Sequence, residues 1–189
     1  HIPTISSAKS VQLIKEAKKK GLQVTCSVTA HHLLLTDEEL EGFDSNVKVT
    51  PPLRTKKDTR ALIKGVKDGI IDVITSDHNP IDIENKKLEF SLAKNGTIGM
   101  ESLFGAVNSQ LDIETTIKAL TVNPRKIFNQ KNSFIAKDQE ANLTLFNPEI
   151  IYTFSEKDIL SSSKNSAFNG KELKGKAYGI YANKKLVLN

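Results

Sequence analysis

Helical and strand-like patterns of apolar residues alternate along the first part of the chain. In residues 6–20, apolar side chains recur every three or four positions, which predicts an amphipathic helix, and residues 22–28 form a run of strand-forming residues. The same order returns as a helical pattern at residues 55–69 and a β-branched run at residues 70–76. Alternating helices and buried strands predict right-handed crossovers and a parallel sheet, and therefore an α/β fold.

Three polar residues predict where helices begin. Thr36 and Thr55 are each followed three residues later by a carboxylate, which is typical of a capping box. Asn123 precedes Pro124, which combines a capping side chain with proline at the first helical position. Two more helices are predicted at residues 101–109 and 114–121.

The pattern changes to short strands after residue 137. These strands are predicted at residues 142–146, 150–154, 176–181 and 185–188. We therefore expect an α/β body over residues 1–137 and the strands of a small β-subdomain over residues 138–189. Two parallel strands cannot close a barrel, and they would leave an open hydrophobic edge. The sequence thus indicates the C-terminal part of a larger protein, or a chain completed by a partner segment.

Composition excludes several classes of function. The chain of 189 residues is 38% hydrophobic, which favours a globular protein over a disordered one. Its single cysteine, Cys26, predicts a buried thiol in a reducing, cytoplasmic compartment. No signal peptide is visible, and no apolar run is long enough for a membrane. The net charge of +5 comes from dispersed lysine clusters such as Lys86-Lys87, without interleaved aromatic residues. We therefore predict a solvated basic surface and no nucleic-acid binding.

Asp77 is the first candidate for chemistry. It directly follows the β-branched run, and Pro80 prevents the strand from continuing. In a barrel of parallel strands, catalytic groups lie where strands end, and an aspartate there can bind a metal or exchange a proton. The alternative is that Asp77 only caps a turn formed by Asn79 and Pro80. On local sequence alone, the turn cap is the better explanation.

Eight segments add a further pattern. They are His31-His32-Leu33-Leu34-Leu35-Thr36, Ser76-Asp77-His78-Asn79-Pro80, Gly96-Thr97-Ile98-Gly99-Met100-Glu101 and residues 48–54, 68–72, 123–128, 140–146 and 163–170. In this order, and over nearly the whole chain, they resemble dihydroorotases of the amidohydrolase superfamily. The resemblance implies the C-terminal part of a (β/α)8 TIM-type barrel plus a small β-subdomain made from both chain ends. The chain would then begin near the end of the sixth barrel strand.

The resemblance also implies an activity and residue roles. Dihydroorotases use a zinc-bound hydroxide to convert dihydroorotate reversibly to N-carbamoyl-L-aspartate in pyrimidine biosynthesis. Asp77 matches the aspartate that binds the metal and shuttles the proton, so the resemblance reverses the choice made from local sequence. Asn95 and Gly96 match a turn that contacts substrate through its backbone. His31 and His32 are not zinc ligands of the family, so we predict structural roles for them, and we expect His78 to orient its loop.

Three positions depart from the active pattern. Thr4 stands where the family has a metal-binding histidine, and placing His1 on the metal instead would require a three-residue insertion. A threonine hydroxyl is a poor zinc ligand. Thr50 replaces an asparagine whose amide contacts substrate. Ile81 replaces a histidine that would bind the substrate carboxylate, and isoleucine cannot donate a hydrogen bond.

These departures leave enzyme activity open. One hypothesis is an active dihydroorotase, completed by the N-terminal part of the same protein. The alternative is a catalytically degenerate dihydroorotase-like scaffold that supports aspartate carbamoyltransferase or another partner. A different cyclic-amide hydrolase would need other ligands. We expect a homodimer, as is common in the family. We also expect the chain by itself to bind zinc weakly or not at all, and not to hydrolyse dihydroorotate.

Overall fold

Parallel extended segments form the centre of the first part of the chain. The fold is described by a computed structural model over residues 1–132 and 134–188. Ile2 pairs in parallel with Cys26, and β1 pairs in parallel with β2. The two strands are β1 (Ser27–Thr29) and β2 (Val73–Thr75). The predicted parallel sheet and α/β fold are therefore confirmed, and the carboxyl ends of these segments lie at one edge.

The helices predicted at residues 6–20 and 55–69 connect the parallel segments. The first three helices are α1 (Ala8–Lys19), α2 (Ala30–Leu34) and α3 (Lys56–Lys67), of which the short α2 was not predicted. The Ser7 hydroxyl caps α1, and the Thr55 hydroxyl caps α3 by accepting from the backbone N–H of Asp58. Gly69 follows α3 with φ +69°, a left-handed conformation that glycine adopts without steric cost. The chain then turns back towards β2.

The strands are shorter than the predicted runs of residues 22–28 and 70–76. Ile70 and Ile71 both donate their backbone N–H groups to the carbonyl of Gly65, so they extend the end of α3 rather than pair with β1. Their side chains still pack in or against the hydrophobic core. The first residues of the apolar run are therefore apolar because they are buried at the end of a helix. Periodicity alone does not distinguish such residues from those of a buried strand.

Two predicted helix caps are wrong. Thr36 precedes only a 3₁₀ helix, Asp37–Gly42, and its side chain makes no capping hydrogen bond. Asn123 lies inside a continuous helical stretch, because a π-helical turn at Lys118–Val122 joins the two helices on either side. The Asn123 amide instead donates to the backbone carbonyl of Asp72 (2.8 Å). A tertiary contact thus uses the side chain that local sequence assigned to a cap.

The remaining elements surround this centre and extend it. The helices are α4 (Ile83–Lys86), α5 (Leu103–Asn108), α6 (Ile113–Ile117) and α7 (Asn123–Ile127). The strands are β3 (Leu143–Thr153), β4 (Glu172–Ala182) and β5 (Lys185–Leu188), in an antiparallel sheet of that order. The two strands predicted at residues 142–146 and 150–154 are one strand, β3, whose register is irregular around Pro148.

The two parts of the chain share a hydrophobic core. Phe154, Phe168 and Leu173 come from the later part, and they belong to the same buried cluster as Leu33 and Ile98 from the first part. The division into residues 1–137 and 138–189 stays a prediction. None of the helices in the two described ranges combines the length and hydrophobicity that a membrane span requires.

Candidate functional site

Asp77 lies two residues after the end of β2, at the edge where the parallel segments end. Its backbone is left-handed, with φ +46°. Few non-glycine residues adopt this conformation, although aspartate tolerates it better than most. The residue is exposed to solvent on one side, and no residue in the described ranges donates a hydrogen bond to its carboxylate. Neighbouring protein atoms still remove part of the water around the carboxyl group, and this desolvation raises its pKa above the ordinary value.

The imidazole of His78 fixes the loop that follows Asp77. Its Nδ1 atom lies 3.2 Å from the backbone nitrogens of both Gly99 and Met100. Since both backbone N–H groups donate, Nδ1 is the acceptor and carries no proton. The backbone N–H of Asn79 donates to the carbonyl of Thr97 (2.9 Å). His78 therefore orients the loop, as the sequence predicts, and joins it to residues 97–100.

The turn at Asn95 and Gly96 is pinned through Gly96. The Gly96 N–H donates to the carbonyl of Lys48 (2.9 Å), and the Gly96 carbonyl accepts from Lys86 Nζ (3.0 Å) and Asn165 Nδ2 (3.2 Å). Both lone pairs of that carbonyl are thus engaged. Asn95 is exposed, and it has no hydrogen-bond partner in the part of the chain that the structure describes. Substrate binding at this turn stays a prediction, and Asn95 is the residue whose groups are free for it.

Glycine is required where the two loops approach each other. A Cβ atom on Gly96, which has φ +139°, would lie 2.8 Å from the side-chain nitrogen of Asn79. A Cβ on Gly99 would meet the backbone carbonyl of Ser76 closer than real Cβ atoms approach other atoms. Other atoms therefore pass too close to the backbone at these two positions for any residue larger than glycine.

Replacing Gly99 with alanine is expected to lower the free energy of unfolding by about 1–3 kcal/mol, because the added methyl group forces Ser76 to shift. Denaturant unfolding of the full-length protein measures this effect. Gly42→Ala is the matched control, since a Cβ at Gly42 meets nothing within 4 Å. Equal stability of the two variants would contradict the predicted clash.

None of the three substituted positions forms a hydrogen bond with Asp77 in the described part of the chain. Thr4 has φ +51°, and its backbone N–H donates to the Ser27 hydroxyl (3.3 Å), so β1 lies between Thr4 and Asp77. Thr50 is exposed, and its peptide bond to the following proline is cis. Ile81 is partly buried, and its backbone N–H donates to the side-chain oxygen of Asn165 (3.2 Å).

His31 and His32 are both buried, at 0% and 1% exposure, as structural roles require. Nε2 of His32 lies 3.2 Å from the carbonyls of Pro51 and Pro52, so it must be the donor. Nδ1 then accepts from the hydroxyl of Thr29 (2.6 Å). Burial lowers the pKa of His32, which keeps the ring neutral. His32 therefore holds the loop that carries Thr50 against the start of α2.

A model of the amidohydrolase family matches residues 4–176 of this chain. The chain belongs to the amidohydrolase family. Among curated amidohydrolases, it is 40% identical to the dihydroorotase of Caldicellulosiruptor saccharolyticus over 193 aligned positions, covering 99% of this chain and 45% of that protein. It is 42% identical to the dihydroorotase of Carboxydothermus hydrogenoformans, covering 93% of this chain and 42% of that protein. The chain thus spans less than half the length of these relatives.

Solved structures show the same amidohydrolase fold. The L-hydantoinase (dihydropyrimidinase) of Arthrobacter aurescens matches with a TM-score of 0.86 and 22% identity, over 99% of this chain and 44% of that one. An inactive dihydroorotase-like domain of the CAD-like multifunctional protein of Chaetomium thermophilum matches with a TM-score of 0.69 and 23% identity, over 98% of this chain and 50% of that one. The fold is therefore the C-terminal part of an amidohydrolase TIM-type barrel, with further strands after it.

Amidohydrolases of the dihydroorotase type generally use zinc. Within the described ranges, no group of three or more His, Cys, Asp or Glu side chains is arranged to hold a metal ion. Asp77 supplies one carboxylate, Thr4 supplies only a hydroxyl, and the imidazole of His31 is fully buried. These residues by themselves do not fit a zinc centre, which requires three or four nitrogen, sulfur or carboxylate ligands.

Sequence reasoning missed two residues that organise the loops around Asp77. Lys86 was predicted to lie on a solvated basic surface, but its exposure is 3%. Asn165 was given no role in the site, yet its amide contacts the loop after Asp77 and the turn at Gly96. The short polar side chain of Asn165 gave no signal of contacts about 70 to 85 positions away, since only the fold brings them together.

Proposed function

We propose that the protein containing this chain is a dihydroorotase-type cyclic amidohydrolase of pyrimidine biosynthesis. It would convert dihydroorotate and water reversibly to N-carbamoyl-L-aspartate. The identity of 40% to a dihydroorotase over nearly the whole chain supports this substrate class. We place the reaction in the cytoplasm, where the buried free thiol of Cys26 stays reduced.

The conformation of Asp77 is the observation that carries this proposal. A left-handed backbone at a non-glycine residue costs about 1–2 kcal/mol, and such conformations cluster at functional sites. Here it presents a carboxylate, without a hydrogen-bond partner in residues 1–132 and 134–188, at the edge where the parallel segments end. Such a carboxylate can accept a proton from the attacking water and return it to the ring nitrogen that leaves. Asn95 would hydrogen-bond the substrate, and His78 would keep the Asp77 loop in place.

The rest of the site would come from outside this chain. Because the chain spans less than half of its curated relatives, we propose the N-terminal part of the same protein as its first partner. That part would supply the remaining ligands for zinc and complete the barrel. We also propose a homodimer as the assembled form.

Dihydroorotate hydrolysis by the full-length protein tests this function, with bound zinc quantified in the same sample. We expect turnover together with bound zinc. A protein that shows neither would contradict the proposed activity and favour the alternative below.

The alternative function is a catalytically degenerate scaffold that supports aspartate carbamoyltransferase or another partner. Thr4 and Ile81 favour it, because neither side chain can replace a histidine as a metal ligand or carboxylate donor. The inactive dihydroorotase-like domain among the structural neighbours shows that this fold occurs without activity. Under this alternative, removal of the protein would lower the stability of the carbamoyltransferase, while loss of the Asp77 carboxylate would leave it unchanged.

Replacing Thr4 with histidine is expected to raise the zinc affinity of the full-length protein more than tenfold, since even changes outside the ligand set alter metal affinity about 10- to 100-fold. The backbone suits this change, because φ +51° is an outlier for a β-branched residue, whereas histidine adopts it more readily. Zinc competition with a chelator measures the affinity.

Thr4→Asn is the control for the histidine variant. Asparagine also tolerates a left-handed backbone but is a weaker zinc ligand than imidazole. Equal zinc affinity of the two variants would show that this position does not face the metal.

A further inference from the structure

Lys86 is a buried lysine whose ammonium group contacts backbone carbonyls instead of an acid. Its exposure is 3%, and Nζ donates to the carbonyls of Ser45, Lys94 (3.0 Å) and Gly96 (3.0 Å). No salt bridge to Lys86 is found in the described part of the chain. Lysine is almost never fully buried unless it is paired, so this arrangement requires an explanation. Three carbonyls for three N–H donors satisfy the ammonium group completely.

Two of the three carbonyls, those of Lys94 and Gly96, tie the turn at Asn95 to the helix that carries Lys86. Lys94 and Gly96 stand on either side of Asn95, so one ammonium group holds both ends of the turn. The backbone N–H of Lys94 also donates to the carbonyl of Asn85 (3.0 Å), next to Lys86 in α4. The position of Asn95 is therefore set by α4.

Asn165 connects this turn to the loop after Asp77. Its side-chain nitrogen donates to the carbonyls of Gly96 (3.2 Å) and Asn79 (3.1 Å). Its side-chain oxygen accepts from the backbone N–H of Ile81 (3.2 Å). Asn165 is 5% exposed, so these bonds form away from solvent. One amide thus contacts both the turn and the loop, which cannot move apart without breaking buried hydrogen bonds.

We propose that Lys86 and Asn165 are positioning residues that hold Asn95 in register with Asp77 for a cyclic-amide ligand. This inference rests on the proposed function, because the ligand is the one that function assigns. The side chains of Lys86 and Asn165 together form what we call the clamp. The backbone groups of Gly96 are all engaged within the protein, so Gly96 fixes the turn to the clamp and does not bind the ligand itself. Asn95, which has no hydrogen-bond partner among the described residues, is the residue that the clamp presents.

The two residues should affect different kinetic constants. Lys86 contacts the turn and Ser45 but not the loop after Asp77. Lys86→Met in the full-length protein should therefore raise KM for dihydroorotate on the order of a hundredfold and change kcat little. Asn165 also holds the loop after Asp77, so Asn165→Ala should raise KM and lower kcat. If the methionine variant does not fold, Lys86→Gln, which keeps two N–H donors, replaces it in the same measurement.

Lys48 provides a matched control. Its ammonium group also donates to three backbone carbonyls, those of Phe90, Ser91 and Ala93, but not to that of Gly96. The carbonyl of Lys48 that accepts from the Gly96 N–H belongs to the backbone, so Lys48→Met keeps it. Lys48→Met should lower stability without the selective rise in KM. If Lys48→Met and Lys86→Met change KM and kcat alike, the clamp acts only on stability and the proposal is overturned.

Hydrogen exchange separates failure of this proposal from failure of the proposed function. If the unmodified full-length protein neither binds nor hydrolyses dihydroorotate, the proposed function is wrong. The clamp is then tested by the exchange rates of the Gly96 and Ile81 amides. Compared with Lys48→Met, we expect Lys86→Met to accelerate exchange of the Gly96 amide. We expect Asn165→Ala to accelerate exchange of both the Gly96 and the Ile81 amides. Rates equal to those of the control would refute the clamp.

Discussion

Replacing Asp77 with asparagine is expected to lower dihydroorotate turnover by the full-length protein about 10²- to 10⁴-fold, the usual contribution of a group that transfers a proton in the transition state. Asparagine has nearly the same shape and tolerates φ +46°, so the loop should keep its conformation. The amide cannot accept the proton, and it carries no negative charge for a metal ion. Steady-state kinetics with dihydroorotate measure the loss, and thermal unfolding tests whether the fold is kept.

Asp82→Asn is the control for this variant. Asp82 is exposed in the same loop and makes no capping hydrogen bond to α4, so its replacement removes a charge from the loop without breaking a cap. We expect its kinetics to match those of the unmodified protein. Equal turnover of the Asp77 and Asp82 variants would remove the proton-transfer role from Asp77. If the unmodified protein has no turnover at all, the scaffold function is supported instead.

The position of Asp77 could be predicted because a local pattern encodes it. A β-branched run followed by a polar residue and a proline marks a strand end, and strand ends in parallel sheets meet at one edge. The role of His78 in its loop followed from the same segment. The predicted strand began too early, because the backbone N–H groups of Ile70 and Ile71 bond to the end of α3. Their sequence pattern is the same as that of strand residues.

The groups that support the site could not be predicted in the same way. A lysine beside another lysine is usually solvated, and nothing local shows that the backbone carbonyls around Lys86 replace water. Asn123 illustrates the same limit, because it matches a helix cap by composition but bonds to the carbonyl of Asp72 (2.8 Å) in the folded chain. In both cases, contacts between distant segments determine where the side chain lies. A local sequence pattern contains no information about such contacts.

Acid is expected to destabilise the protein strongly through His31. Both ring nitrogens of His31 are buried without a hydrogen-bond partner in the described residues, and burial lowers its pKa from 6.5 to about 3. The folded state therefore keeps the ring neutral between these values, while the unfolded state binds a proton below 6.5. Stability is lost as the pH falls through this window, by about 1.4 kcal/mol per pH unit and by about 5 kcal/mol in all.

Leucine at position 31 isolates this contribution from other acid-sensitive groups. The pKa values of Asp58 and Asp158 are lowered by hydrogen bonds, so their stabilisation is also lost in acid, in every variant. His31→Leu has a similar volume and no ring nitrogens, so unfolding in denaturant should show a shallower loss of stability between pH 6.5 and pH 4. His1→Leu, at an exposed residue, should keep the full slope. If His31→Leu loses stability with the same slope as the unmodified protein, His31 is protonated or hydrated in the folded state. Its burial then does not control acid stability.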